Sequence, residues 1–250
     1  MSGNKEKWSR PNSVPLPTVW RQCSGLRETP DGTVPEFRIQ DVPEHMHEDI
    51  VNFMTTHFCR DEVTCACVRI LEDPVSTAEL QDIWRMMLKQ NVSLVAIVGH
   101  NEEENPPKIA GCNIMGVSFK DENHTSDMFK GLRLRNISRF VLDLVSERVN
   151  MYEHYGVEEY MSALGLCVDP VFRCQGLGLE LLKARFDLGK AVGLKATTTV
   201  FTAEASQRLA HKLGMEVLTE ILYEDCKIDG KPAFPNIKGK SMKAMGKRIE

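Results

Sequence analysis

Two hydrophobic periods alternate along the chain from residue 35 onward, one typical of strands and one of helices. Short apolar runs bounded by turn residues predict strands at 36–40, 93–98, 108–119, 160–168, 195–201, 217–226 and 241–249. Apolar positions three and four residues apart predict helices at 44–57, 137–152, 176–192 and 204–213. A further helix is predicted to begin at a capping box formed by Ser76 and Glu79. The resulting order is β-α-α-β-β-α-β-α-β-α-β-β, in which a central hairpin around a polar turn at 101–107 requires a mixed sheet.

Residues 1–34 differ from the rest, since prolines interrupt them and Ser, Thr and Gly are frequent. We predict a flexible or loosely docked extension that Trp8 and Trp20 could anchor. No linker interrupts residues 35–250, so they are predicted to form one domain.

Composition narrows the class of protein without identifying it. The 250 residues are 42% hydrophobic and 26% charged, with a net charge of −4, which argues against nucleic acid or a membrane surface as partner. No apolar run approaches the roughly 20 residues of a membrane span, and no signal peptide is recognisable. A cytoplasmic protein is expected, and the oligomeric state stays open.

Eight cysteines raise the question of disulfides or a metal site. Without a secretory signal, free thiols are the better interpretation. The cluster His57, Cys59, Cys65 and Cys67 lacks the paired spacing of zinc ligands, so no metal is predicted.

The most informative motif follows the predicted strand 160–168. Arg173-Cys174-Gln175-Gly176-Leu177-Gly178 leads from this strand into a helix, and glycines there leave backbone N–H groups uncovered at the positive end of the helix dipole. Such a turn is suited to a phosphate group. A dinucleotide fingerprint would need a third glycine where Leu181 stands, and the Gly-Lys-Ser/Thr of a P-loop is absent.

The motif, the element order and the closing Lys212-Leu213-Gly214-Met215 strongly resemble the GNAT superfamily of acetyl-CoA-dependent N-acetyltransferases over residues 35–250. Within it the chain is similar to the insect arylalkylamine N-acetyltransferases. Two segments carry this finer match, Phe58-x-x-Asp61-Glu62 and Ser206-x-Arg208-Leu209-Ala210-x-Lys212-Leu213-Gly214. The family motif continues from Asp-Glu into Pro-Leu, where this chain has Val63 and Thr64.

The resemblance implies a GNAT fold, an α/β fold whose central mixed sheet is flanked by helices and whose strands are splayed at the acetyl-CoA site. Backbone groups of Leu166, Cys167 and Val168 would pair with the pantetheine arm like an added strand. The N–H groups of the loop would hold the pyrophosphate, with the Arg173 side chain adding charge; the loop consists of Arg173, Cys174, Gln175, Gly176, Leu177 and Gly178.

Amine acetylation requires a base, because an alkylamine with a pKa of ~10.4 is about 99.9% protonated at pH 7. By sequence alone, Asp61 and Glu62 would more often be a solvated acidic pair after a helix. Glu62 matches the family's catalytic glutamate, and this resemblance makes it the predicted base. The usual GNAT tyrosine acid is replaced by Ala210. The insect group instead points to Ser206, with Thr202 one turn earlier, as hydroxyls near the thioester.

We therefore predict transfer of acetyl from acetyl-CoA to a small primary amine by direct attack in a ternary complex. The expected substrate is an arylalkylamine such as dopamine, serotonin or tryptamine. Three alternatives remain open: a polyamine or agmatine acetyltransferase using carboxylates at 121–127 and 158–159, a protein N-acetyltransferase, and a non-catalytic acyl-CoA-binding module. A covalent route through Cys167, or a base at His154 or His211, is disfavoured.

Overall fold

The computed structural model describes residues 8–29, 32–99 and 107–250. Most of the turn predicted at 101–107 lies outside these residues. Strands and helices alternate as the sequence predicts, with β1 (Val19–Ser24) added in the N-terminal extension. The strands that follow are β2 (Glu36–Asp41), β3 (Leu94–Val98), β4 (Ile109–Phe119), β5 (Glu159–Val168), β6 (Ala196–Phe201), β7 (Glu216–Leu222), β8 (Lys227–Ile228), β9 (Lys231–Pro232) and β10 (Ser241–Arg248).

The helices are α1 (His47–Phe53), α2 (Cys59–Asp61), α3 (Val63–Val68), α4 (Pro74–Leu88), α5 (Leu132–Ser138), α6 (Leu144–Arg148), α7 (Met151–Tyr155), α8 (Leu177–Ala191) and α9 (Glu204–Lys212). Two of these helices, α4 and α8, have 15 residues each and the others are shorter. A π-helical segment, Met54–Phe58, joins α1 to α2, and another, Arg139–Asp143, joins α5 to α6.

Eight strands form one mixed sheet in the order β1-β2-β3-β4-β5-β6-β10-β7, and β8 and β9 form a separate ribbon. The β5–β6 pair is parallel and the other neighbouring pairs are antiparallel. This confirms the predicted α/β class, the central hairpin of β3 and β4, and the mixed sheet.

Alternating side chains of the central strands reach two hydrophobic cores, one on each face of the sheet. Val95 and Ile97 of β3 join the core under α1, α4 and α5. Leu94 and Ala96 of the same strand face the core under α8. The helices therefore cover both faces, as the fold class predicts.

The N-terminal extension contributes β1 to the edge of the sheet. Its anchor is the buried Asp41 carboxylate, which accepts hydrogen bonds from Arg10 at 3.0 and 2.8 Å, Trp20 Nε1 at 2.9 Å and the Thr18 N–H at 2.8 Å. Trp8 Nε1 also donates to the Val192 carbonyl at the end of α8.

Two sequence predictions about helix ends are wrong. Ser76 and Glu79 do not form a capping box; α4 begins at Pro74 with Asp73 as its N-cap, and the Ser76 hydroxyl donates to Asp73. The Glu79 carboxylate instead accepts from the N–H groups of Lys130 and Gly131, so its partners come from another part of the chain.

The helix predicted over 137–152 is interrupted. Val149 has an extended backbone, and Asn150 caps a new helix by accepting from the N–H groups of Tyr152 and Glu153. A local side-chain acceptor therefore ends an apolar stripe that continues in the sequence, because asparagine competes with helix continuation.

We predict that Asp73→Ala lowers the free energy of unfolding by about 1 kcal/mol, the usual cost of losing an N-cap. The carboxylate satisfies the N–H groups of Val75 and Ser76, both at 3.2 Å. Urea unfolding measures the change. Asp82→Ala is the control, since that exposed side chain on the same helix makes only a surface ion pair with Arg85 and should contribute less. Equal losses in the two variants would contradict the capping role.

Candidate active site

The two central parallel strands are in register over only two residue pairs. Met161 lies opposite Thr197 and Ser162 opposite Thr198, after which β5 and β6 diverge. On its other edge β5 continues to pair with β4 as far as Val168. Leu166, Cys167 and Val168 therefore have one strand edge in the sheet and the other facing the gap between the strands.

A fully buried arginine lies at the point where the strands diverge. Arg185 of α8, 1% exposed, donates from Nε to Thr197 Oγ1 at 2.7 Å and from Nη2 to the Thr198 carbonyl at 2.8 Å. Thr197 Oγ1 in turn donates to the Met161 carbonyl at 2.9 Å. Side-chain donors thus satisfy carbonyl groups at the end of the β5–β6 ladder.

Burial lowers the pKa of the Arg185 guanidinium to about 9, which leaves it charged at neutral pH. Within the part of the chain that the structure describes, its hydrogen-bond partners are a hydroxyl and two carbonyl groups. Burying a cation without a carboxylate partner costs free energy unless hydrogen bonds satisfy its N–H groups. The fold therefore depends on the hydrogen bonds between Arg185 and β6.

A bulge bends β5 just before the gap. The register with β4 shifts between Asn113 and Met115, and Gly165 has φ +120°, a value that favours glycine. The Asn113 amide donates to the Gly165 carbonyl and the Trp84 indole to the Leu164 carbonyl, each at 2.9 Å. A side chain at 165 would collide with Met54 and Phe58 of the π-helical segment.

The loop after β5 leads directly into the start of α8. Cys174 and Gly176 have φ +63° and +82°, and Gly176 is the N-cap of α8 without any side-chain capping bond. The first N–H groups of this 15-residue helix are therefore not covered by a capping side chain. The loop fits a phosphate by this backbone geometry.

Arg173 is engaged on the rim of the same loop. Its guanidinium contacts the Asp61 carboxylate and donates to the Val168 carbonyl at 3.2 Å. Hydrogen bonding from Arg60, then from Arg173, lowers the pKa of Asp61 to about 2. The residue preceding Glu62 is thus bound to the loop predicted to hold pyrophosphate.

Glu62 is positioned as the N-cap of α3. Its carboxylate accepts from the N–H groups of Thr64 and Cys65 at 3.1 and 2.7 Å, and from the Thr64 hydroxyl at 2.6 Å. A fourth bond comes from Thr202 Oγ1 at 2.6 Å, across 140 positions of sequence. These four bonds use the lone-pair capacity of a carboxylate, and the Glu62 residue is only partly exposed.

Thr202 lies immediately after β6, on the far side of the gap from β5. Its hydroxyl binds Glu62, and its carbonyl accepts from the Tyr223 phenol at 2.7 Å. Tyr223 is 4% exposed, and burial raises the pKa of its phenol. Glu62 and Thr202 are therefore brought together and supported from the core.

Ser206 lies on the first turns of α9 and is half-buried. Its hydroxyl donates to the Ala203 carbonyl at 2.8 Å, one turn earlier. Among the described contacts, Ser206 is not joined to Glu62. Of the three residues predicted to be catalytic, the structure thus connects two.

Sequence reasoning missed Thr64, Tyr223 and Arg185. Thr64 occupies a position where this chain departs from the family motif, and its hydroxyl is one of the Glu62 partners. Tyr223 and Arg185 act through contacts with segments distant in sequence, for which no local motif exists.

The other candidate bases have structural partners or lie on the surface. His154 contacts Glu216 at 3.1 Å, as does the Tyr155 phenol at 3.0 Å, and His211 is exposed on α9. Across residues 8–29, 32–99 and 107–250, no group of three His, Cys, Asp or Glu residues is arranged to hold a metal. All eight cysteines are free thiols. None of the helices in these ranges is long and apolar enough to cross a membrane.

A mixed sheet opened between parallel strands, with a glycine-rich helix start beyond the gap, defines the acetyltransferase class of α/β proteins. Residues 145–215 match the Acetyltransferase (GNAT) family. A putative arylalkylamine N-acetyltransferase 7 from the yellow fever mosquito Aedes aegypti is 31% identical, with a TM-score of 0.88 over 98% of this chain and 100% of that one. The chain therefore belongs to the GNAT family and is an acetyl-CoA-dependent N-acetyltransferase.

Two further solved structures share the fold at lower identity. Arylalkylamine N-acetyltransferase 2 from Aedes aegypti is 24% identical with a TM-score of 0.73, over 86% of this chain and 99% of that chain. A Drosophila melanogaster polyamine N-acetyltransferase is 18% identical with a TM-score of 0.70, over 85% of this chain and 100% of that chain. A search of curated proteins finds no match.

We predict that Cys167 does not carry the acetyl group. Burial raises the pKa of its thiol to about 12, so about one molecule in 10⁵ is thiolate at pH 7. Cys167→Ser should retain most of the kcat of the unmodified enzyme, and iodoacetamide should label the exposed Cys174 first. Loss of all turnover in Cys167→Ser, with parallel double-reciprocal plots for the parent enzyme, would instead support an acetyl-cysteine intermediate.

Proposed function

We propose that this N-acetyltransferase acetylates small arylalkylamines, with Glu62 as general base. The observation that carries the proposal is the hydrogen bond between Glu62 and Thr202, made next to the gap between β5 and β6. It puts a carboxylate and a hydroxyl beside the edge on which the thioester arm of acetyl-CoA would lie.

The cofactor part of the site follows from the same geometry. Leu166, Cys167 and Val168 present a strand edge on which an extended pantetheine arm can add as a further strand. The loop from Arg173 to Gly178 would hold the pyrophosphate through its N–H groups. Arg173 would contribute charge after exchanging part of its contact with Asp61 for a phosphate oxygen.

Direct attack requires a neutral amine nitrogen. The nitrogen forms a bond to the acetyl carbonyl carbon and the C–S bond breaks. One proton leaves the ammonium form toward Glu62 before the attack, and the second leaves the nitrogen as the amide forms and ends on the departing thiolate. Because the lone pairs of Glu62 are already hydrogen-bonded, we propose that Thr202 relays the proton. Its hydroxyl would accept a proton from the amine, directly or through water, while donating its own to Glu62.

The structure favours a monoamine over a polyamine. Of the carboxylates considered for a polyamine site, Glu158 pairs with Lys120 at 3.6 Å. Glu158 immediately precedes β5, whereas the proposed pantetheine edge is at its other end. At ~3.3 Å per residue the two ends of this strand are about 25–30 Å apart, too far for both groups to face one small amine.

Similarity to a mosquito protein supports an arylalkylamine as the substrate. The mosquito protein that is 31% identical over nearly the whole chain is described as a putative arylalkylamine N-acetyltransferase. The eight free thiols suit a reducing compartment, in agreement with the cytoplasmic location that we propose.

We expect a thiol-release assay with acetyl-CoA to give higher kcat/KM for tryptamine and dopamine than for spermidine, agmatine or a peptide with a free N-terminus. Glu158, considered for a polyamine site, precedes β5 at the end opposite to the proposed pantetheine edge, so we expect the site to select one ammonium group rather than a polycation. Preference for spermidine or agmatine would contradict the substrate class. Absence of CoA release with every amine, while acetyl-CoA still raises the Tm, would indicate a binding module.

We predict that Glu62→Gln lowers kcat by about 10²- to 10⁴-fold, the usual contribution of a general base. The N–H groups of Thr64 and Cys65 bind different oxygens of the carboxylate, so the amide oxygen can keep one of the two bonds and the Tm should fall less than in a variant that loses both. The acidic limb of the kcat/KM–pH profile should disappear, and this profile is the decisive measurement.

Glu62→Ala removes the cap as well as the base and should also lower the Tm, by an amount comparable to Asp73→Ala. Thr202→Val should reduce kcat without abolishing the acidic limb of the pH profile. Thr202→Ser should keep kcat close to that of the parent enzyme, because the hydroxyl is retained. A Glu62→Gln enzyme with an unchanged pH profile would remove Glu62 as base.

A further inference from the structure

The end of β1 runs against the loop that opens α8. The Gln175 side chain, 7% exposed, binds both peptide groups of one residue in the N-terminal extension. Its Oε1 accepts from the Arg27 N–H at 2.9 Å, and its Nε2 donates to the Arg27 carbonyl at 3.0 Å. A buried amide that satisfies both groups fixes the backbone of Arg27 relative to the loop.

Two glycines allow this close approach. A Cβ on Gly25 would lie 2.8 Å from Gln175 Oε1, and a Cβ on Gly176 would lie 3.3 Å from Leu26 Cδ1. The turn Gly25–Arg27 and the loop Gln175–Gly176 are therefore in van der Waals contact. The Gly25 N–H donates to the Pro35 carbonyl at 2.7 Å, which closes the turn.

The rest of the extension keeps this turn in place. β1 is paired with β2 from Val19 to Ser24, and Arg21 forms an ion pair with Asp187 of α8 at 2.7 Å. The position of Arg27 is thus set by a strand, by an ion pair to the helix that carries the loop, and by two hydrogen bonds.

Several arginine side chains lie at or beside the loop. Arg173 and Arg60 both contact Asp61, so one carboxylate offsets part of their positive charge. Arg27 is exposed, next to the loop, and carries a further positive charge. CoA has a pyrophosphate and a 3′-phosphate, and the guanidinium fork matches phosphate oxygens bidentately.

We propose that the turn Gly25–Arg27 is part of the acetyl-CoA site. Arg27 binds a phosphate group of CoA, and Gln175 is a positioning residue that holds Arg27 at the loop. This inference rests on the acetyl-CoA site proposed above, and it gives the N-terminal extension a role in cofactor binding.

Isothermal titration of the full-length protein with acetyl-CoA tests the inference without requiring turnover. Arg27→Ala should raise the Kd by about 3- to 10-fold, the range expected for a partly exposed charge-assisted contact. Arg27→Glu should raise it further, and Arg27→Lys should retain most of the affinity. The matched control is Lys190→Ala, which removes one exposed positive charge near the opposite end of α8 and should leave the Kd unchanged.

Titration with 3′-dephospho-CoA identifies the phosphate. If Arg27 binds the 3′-phosphate, the effect of Arg27→Ala disappears with this ligand. If it binds the pyrophosphate, the effect persists at the same size. Both results support the inference, and the comparison assigns the contact.

Gln175→Ala is tested in a double-mutant cycle with Arg27→Ala. A positioning role predicts that Gln175→Ala raises the Kd in the parent protein and adds little in the Arg27→Ala background. A purely structural role would leave the acetyl-CoA affinity of the folded variant unchanged.

The inference is overturned if the parent protein binds acetyl-CoA and Arg27→Ala matches Lys190→Ala; the proposed function then stands. The positioning role of Gln175 is overturned if Gln175→Ala and Arg27→Ala contribute independently to the Kd. Failure of the parent protein itself to bind acetyl-CoA would overturn the proposed function together with this inference.

Discussion

The early end of the β5–β6 ladder is the constraint on which the site depends. Parallel neighbours in a sheet normally continue their hydrogen bonds, because an unpaired strand edge leaves backbone groups unsatisfied. Here Arg185 and Thr197 satisfy carbonyl groups where the pairing stops, and the β5 bulge at Gly165 turns the strand away. The gap is therefore stabilised by side chains and is available to an extended ligand that supplies its own backbone-like amides.

The Glu62–Thr202 bond closes the other side of the gap. Glu62 follows the first helical segment and Thr202 follows β6, so one hydrogen bond connects the two halves of the sequence. The π-helical segment before α2 packs on the bulge through Met54 and Phe58. Displacement of β5 would therefore be transmitted to the segment that carries the proposed base, since tightly packed interiors transmit strain.

Local chemistry explains which parts could be predicted from the sequence. The strand before the glycine loop and the mixed sheet follow from periodicity and turn residues. The Ser76–Glu79 capping box failed because Asp73 competes as a cap and Glu79 finds its partners 51 and 52 positions away. The break at Asn150 was missed because an apolar stripe conceals a single capping side chain. Thr64, Tyr223 and Arg185 depend on tertiary contacts that no local pattern encodes.

Two requirements apply to Glu62, because it is the N-cap of α3 and the proposed base. As a cap, Glu62 is held by the N–H groups of Thr64 and Cys65, which fix its orientation. In its proposed role as base, it must also gain a proton during the reaction. Both hydroxyl partners, Thr64 and Thr202, can rotate and exchange a donated bond for an accepted one, whereas the two N–H groups cannot. The carboxylate can therefore keep its position through the backbone bonds while its bonds to the two hydroxyls rearrange, and this supports the proposed proton relay through Thr202 at the edge of the gap.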